Sequence, residues 1–175
     1  EGGFPEWPHQ VDLTLTLRLD DQLHISLTSH NRGTDTVSIS QALHSYFAVS
    51  DVRNVRVEGV DGLDYIETLD DWKTFTQQGD LRFAGETDRI YLDAPAQLSI
   101  VDPAWERRIV LTTTGSRTAV IWNPWIDRAA ALSDMDNDGW QRMLCIETAN
   151  VMSDVMNLAP DASHTMGVSV GSQPL

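Results

Sequence analysis

From residue 11 to residue 19 the chain alternates apolar and polar positions. Val11, Leu13, Leu15, Leu17 and Leu19 share one face, and Asp12, Thr14, Thr16 and Arg18 the other. A period of two marks a strand. Asp20-Asp21 then supplies a turn and Leu23, Ile25 and Leu27 resume the alternation, which predicts an antiparallel hairpin with one solvated face. Turn-forming residues 31–35 close the second strand, and residues 37–40 are expected to return as a third strand running directly into His44. Further strands are predicted at 55–57, 81–83, 89–92, 97–100, 108–112, 118–122, 142–147 and 164–170, with Gly, Pro, Asn or Asp in nearly every gap. Many short strands and no convincing helical period argue for an all-β antiparallel sandwich or barrel. No repeat or linker divides the chain, so residues 1–175 are read as a single domain. Three stretches read as loops able to carry a site: 61–79 with Trp72, 123–138 with Trp125, and 152–163 with Pro160-Asp161.

Charge narrows the partners. Twelve Lys plus Arg against 26 Asp plus Glu give a formal net charge of -14, which repels nucleic-acid backbones and anionic membrane surfaces. An anionic ligand needs a local arginine cluster working against that field, and all basic residues but Lys73 are Arg, the side chain suited to bidentate phosphate contacts. The single cysteine, Cys145, excludes an intrachain disulfide and lies among apolar neighbours, which fits a buried thiol and a cytoplasmic setting. Residues 1–8 lack the basic flank and apolar stretch of a signal peptide, and no run approaches the length of a membrane span.

Two segments place an ionisable side chain inside an apolar run, where burial is costly without a partner or a task. In Ala42-Leu43-His44-Ser45-Tyr46-Phe47 the imidazole belongs to a residue type that ordinarily titrates at about 6.5 and so serves as a proton donor near neutrality. The alternative is a core histidine satisfied by a backbone carbonyl. In Met143-Leu144-Cys145-Ile146-Glu147-Thr148-Ala149-Asn150, Glu147 is either a general base with a raised pKa or the structural partner of a cation such as Arg142. Asp88, at the entrance to a strand, either accepts hydrogen bonds from ligand hydroxyls or caps a turn. Trp122-Asn123-Pro124-Trp125 sets two indoles around a turn, where they either stack on sugar rings or end a core strand. Asp134-Met135-Asp136-Asn137-Asp138-Gly139 opens like a calcium loop, but its twelfth position is Cys145 rather than the bidentate Glu that such a loop needs. The five histidines show no metal-ligand spacing, and Gly-rich phosphate loops are absent.

Taken in order, Ala42 to Phe47, Glu86-Thr87-Asp88-Arg89-Ile90-Tyr91, Trp122 to Trp125 and Met143 to Glu147 resemble the hexose-6-phosphate mutarotases, or glucose-6-phosphate 1-epimerases, of the aldose 1-epimerase superfamily. Trp7-Pro8-His9 is also similar to the family's segment before the central hairpin. The resemblance implies a galactose mutarotase-like β-supersandwich, with this chain matching the later part of that fold. It implies that another active-site histidine and the phosphate-holding arginines belong to the preceding part.

For the residues present, the resemblance implies Glu147 as general base and His44 as general acid, facing one pocket about one sugar ring apart. Asp88, Tyr46, Trp122 and Asn123 are then expected to contact the substrate, a sugar or sugar phosphate, and no cofactor or metal is required. Two other readings share these residues: an aldose 1-epimerase for unphosphorylated sugars, and a non-catalytic carbohydrate-binding β-sandwich. The oligomeric state is left open.

Overall fold

A computed structural model describes residues 6–175, so the reading of residues 1–5 lies outside the described part. Its strands, in chain order, begin with β1 (Val11–Leu19), β2 (Leu23–Asn31), β3 (Val37–Ile39), β4 (Gln41–Leu43) and β5 (Tyr46–Ala48). There follow β6 (Arg56–Glu58), β7 (Asp64–Glu67), β8 (Lys73–Thr76), β9 (Leu81–Arg82), β10 (Thr87–Tyr91) and β11 (Gln97–Asp102). The chain continues with β12 (Arg107–Thr114), β13 (Thr118–Asn123), the helix α1 (Trp125–Ala131), β14 (Met143–Asn150), β15 (Met156–Leu158) and β16 (Ser163–Pro174).

Two antiparallel sheets form a β-sandwich. One runs β1-β2-β16-β12-β11-β6-β9, and the other β4-β14-β13-β10-β7-β8 with β5 also on β14. Alternation along each strand decides which residues fill the space between the sheets. Leu144 and Ile146 of β14, Ile121 of β13 and Tyr91 of β10 join Val57, Leu98, Ile100, Ile109, Leu111 and Val168 in one buried cluster. Each such aliphatic side chain contributes about 1.5–3 kcal/mol of burial. The intervening residues of the second sheet, Glu147, Cys145, Val120, Trp122 and Asp88, therefore occupy its opposite face. Gly115 sits in the turn that carries the chain from β12 in one sheet to β13 in the other, at φ +67°. A Cβ there would meet the Thr165 carbonyl at 2.1 Å, so only glycine allows this crossing.

Several expectations change. The expected β1–β2 hairpin forms, with Leu15 opposite Leu27, but Leu13, Leu15, Leu17 and Leu19 are each more than half exposed: β1 is an edge strand whose leucine face nothing covers among the described residues. Residues 37–40 do not extend the hairpin, because Val37–Ile39 pairs with Met156–Leu158 in a separate two-stranded sheet. The expected loop 61–79 contains the β7–β8 hairpin, and the expected loop 123–138 contains α1. Within 152–163, β15 is likewise a strand.

Candidate active site

β14 carries the site because its middle is open on one side. Its C-terminal half pairs with β4, Thr148 opposite Leu43, and its N-terminal half with β5, Cys145 opposite Tyr46. Both pairings keep one register, so His44 and Ser45 fall opposite Glu147 and Ile146 while belonging to neither strand. The interruption is a three-residue turn in which the Ser45 N–H donates to the Leu43 carbonyl at 2.9 Å. Released from the ladder, His44 reaches across the seam, and its Nε2 lies 3.2 Å from Glu147 Oε1. The two differ in access to water: 47% of the His44 side chain is exposed against 9% of Glu147.

Burial governs Glu147. Desolvation, helped by the nearby negative charge of Asp88, pushes its carboxyl from an ordinary 4.5 up to about 7. Arg142, the cation proposed as its structural partner, instead lies 3.4 Å from Asp138. His44 is the one base within ion-pair distance of Glu147 among the described residues. Cys145 is fully buried on the same face, and burial followed by the Glu147 charge drives its thiol pKa strongly upward, which makes it a poor nucleophile.

A cleft of about 580 Å³ opens over this face, lined by His44, Leu69, Glu86, Asp88, Val120, Trp122, Arg128 and Glu147. That volume suits a sugar-sized ligand. Strand pairing explains the convergence: Val120 faces Glu147, while Trp122 faces Cys145 on one side and Asp88 on the other. Asp88 is thus a strand residue at the cleft wall. Trp122, next to last in β13, sets its ring at a steep angle to the His44 imidazole, 6.1 Å between centroids.

Tyr46 does not line the cleft itself. Its ring stacks on His44 at 4.8 Å and 18°, which fixes the imidazole plane, and meets Trp122 edge to face. Burial first, then the charges of Cys145, Glu147 and Asp134, raise its phenol above the ordinary value. Asn123 requires a correction. It is 0% exposed, its amide donates to the carbonyls of Trp140 and Met143, and its oxygen accepts from the Trp125 N–H. With these hydrogen bonds made inside the fold, it braces the turn after β13 and does not face a ligand. The spacing of acid and base is also corrected: they are in contact, not a sugar ring apart.

Glu86, Val120, Leu69 and Arg128 line the cleft without having been singled out as site residues. Alternation could have found two of them, since Glu86 and Val120 stand two residues from Asp88 and Trp122. Leu69 and Arg128 come from the β7–β8 turn and α1, whose placement depends on tertiary packing. Among the described residues, no group of three or more His, Cys, Asp or Glu side chains could hold a metal ion, and no helix is long and apolar enough to cross a membrane.

An antiparallel β-sandwich with a buried carboxylate against an accessible imidazole, in a cleft walled by an acid and an indole, has the makings of a site for proton transfer on a small polar ligand. The chain belongs to the aldose 1-epimerase family, whose model matches residues 1–171. It is 40% identical over 150 residues to a protein of Cenchrus ciliaris that carries the provisional name glucose-6-phosphate 1-epimerase; the match covers 83% of this chain and 46% of that protein. A provisionally named glucose-6-phosphate 1-epimerase of Escherichia coli K12 is 34% identical over 145 residues, covering 82% and 47%. The crystal structure of a provisionally named mutarotase from Salmonella typhimurium superposes with a TM-score of 0.88 at 27% identity, over 97% of this chain and 56% of that one. The chain thus spans about half the length of the curated relatives it matches.

Proposed function

We propose that the protein interconverts the α and β anomers of a hexose 6-phosphate by acid/base opening and closing of the ring. The observation that carries this reading is the opposition of His44 and Glu147 at 3.2 Å in the cleft, with Glu147 raised to about 7. The exocyclic hydroxyl oxygen and the ring oxygen of a pyranose are bonded to the same carbon, so groups that must serve both have to be close neighbours.

Glu147, as carboxylate, removes the proton from the anomeric hydroxyl, and its electron pair forms the aldehyde C=O. The C1–O5 bond breaks, and protonated His44 gives its proton to O5. Rotation about C1–C2 presents the other face of the aldehyde. His44 then takes the proton back from the C5 hydroxyl as O5 attacks C1, and Glu147 returns its proton to the new anomeric oxygen. Proton bookkeeping closes with both groups in their starting states. A carboxyl near 7 can both take and return a proton at neutral pH. Asp88 accepts hydrogen bonds from ring hydroxyls, and the Trp122 indole packs against the sugar face; their part is to hold a reactive orientation. The names of the relatives support the phosphorylated substrate, and the single buried cysteine fits a cytosolic setting.

A second reading, epimerisation of unphosphorylated aldoses, draws support from Glu86 and Asp88 in the cleft and from the net charge of -14. Exchange between anomers measured by NMR with glucose 6-phosphate and with glucose decides between the two. Faster exchange of the phosphate ester supports the first reading. Turnover of glucose alone makes the phosphorylated assignment wrong, and turnover of neither removes the epimerase reading.

A further inference from the structure

The sheet that does not carry the cleft has a polar row of its own on its outer face. Along β16, Val168 and Val170 turn toward the core and Ser169 turns outward; along β2, Ile25 turns inward and His24 outward. Ser169 stands directly opposite His24 in the ladder, and its Oγ lies 2.8 Å from His24 Nδ1. The other ring nitrogen, Nε2, lies 3.0 Å from Asp20 Oδ1. Asp20 is fixed by the β1–β2 turn: the same oxygen accepts the Gln22 N–H at 2.9 Å, and its second oxygen accepts from Arg18. The Gln22 N–H first, and then His24, hold this carboxyl below the usual range, so near neutrality Asp20 can only accept. Nε2 therefore donates to it, which leaves Nδ1 of the neutral imidazole to accept the Ser169 hydroxyl.

A serine bonded to a neutral imidazole whose far nitrogen is held by a carboxylate is the arrangement that activates a hydroxyl as a nucleophile. Beside it lies a pocket of about 160 Å³, lined by Gln22, Gln97, Val110, Gly171, Ser172 and Gln173. Gly171, two residues from Ser169, makes room for the Gln22 amide: a Cβ there would meet Gln22 Nε2 at 3.1 Å. The backbone N–H groups of β16 are spent in its ladders with β2 and β12, so donors to a developing oxyanion have to come from side chains. The amides of Gln22 and Gln97 make no hydrogen bond among the described residues and are free for that task. No charged side chain lines the pocket, and its volume suits a short acyl group. We propose that Ser169, His24 and Asp20 form an acyl-transfer site that hydrolyses neutral carboxylic esters with a short acyl chain. Ser169 Oγ attacks the ester carbonyl carbon as its proton passes to His24 Nδ1. The ester C–O bond breaks, and the leaving alcohol takes that proton. Water then attacks the acyl-serine, giving a proton to Nδ1 that returns to Ser169 as the carboxylic acid departs.

The experiment follows release of p-nitrophenol from p-nitrophenyl acetate by wild type, Ser169→Ala, His24→Gln and Asp20→Asn, with peptide mass mapping of the protein after reaction. Wild type is expected to show a burst and to carry the acetyl group on Ser169. Ser169→Ala should abolish the burst, and it and His24→Gln should each lower the steady rate by about 10²-fold or more. Asp20→Asn is expected to lower the rate as well, because an amide can donate to Nε2 and turn the tautomer around. A second measurement needs no variant: diisopropyl fluorophosphate, which is selective for activated serines, should modify Ser169 in the wild-type protein. A hydrolysis rate that Ser169→Ala leaves unchanged overturns the proposal, and so does a Ser169 left intact by the fluorophosphate.

Discussion

His44 faces Glu147 across a gap in the sheet edge, Nε2 to Oε1 at 3.2 Å, because β4 and β5 pair with β14 in one register on either side of the two residues between them. In the proposed ring opening such a pair works as a unit: each group needs the other to carry the opposite proton. His44→Asn and Glu147→Gln are each expected to lower kcat by about 10² to 10⁴. Because the two act together, the double variant should lose little beyond the worse single one. NMR exchange rates between anomers test this. Fully multiplicative losses would show that the two groups act independently.

Glu147 also ties activity to stability. Its carboxyl titrates near 4.5 when free and at about 7 in the folded protein, so the folded state holds a proton that the unfolded chain releases. A raised carboxyl pKa means that stability is highest below the unfolded value and falls as pH rises through the folded one. Above that window the cost is about 3 kcal/mol. Glu147→Gln is therefore expected to match wild type at about pH 4 and to exceed it by up to that amount at about pH 8, while losing turnover. Urea unfolding of both proteins at the two pH values measures the difference. A stability gap that is the same at both would mean that Glu147 is not protonated by burial.

Much of the architecture is written in local alternation, and the rest is not. The β1 strand follows from a period of two over nine residues, the start of β2 from Leu23, Ile25 and Leu27, and their turn from Asp20-Asp21. The pairing of β14 with β4 and β5 is different: it joins positions about a hundred residues apart, which no local pattern encodes, so His44 and Glu147 could be suspected singly but not placed in contact. α1 has seven residues, too few to display a helical period. Asn123 misleads for another reason. Asparagine beside tryptophan and proline at a turn looks the same whether its amide meets a ligand or braces the chain, and only burial separates the two.

That bracing predicts a stability phenotype. Asn123 binds two carbonyls and holds the N–H of Trp125, a non-glycine residue at φ +55°. Asn123→Ala strands the carbonyls of Trp140 and Met143 and frees a strained turn, at a cost of about 1–3 kcal/mol. Urea midpoints should fall accordingly, with KM in the remaining folded protein little changed. Unchanged stability with weakened sugar binding would return Asn123 to the list of ligand contacts.

The leucines of β1 and β14 look alike in sequence and should behave differently. Leu15 is 57% exposed on the edge strand, and Leu144 is fully buried between the sheets beneath Cys145 and Glu147. Leu15→Ala removes a side chain that is already largely in water and should change stability by no more than about 0.5 kcal/mol in this chain. Leu144→Ala opens a cavity between the sheets beneath Glu147 and should cost about 2–5 kcal/mol. Comparison of urea midpoints is the check. A Leu15→Ala loss as large as that of Leu144→Ala would mean that the leucine face of β1 is covered in solution.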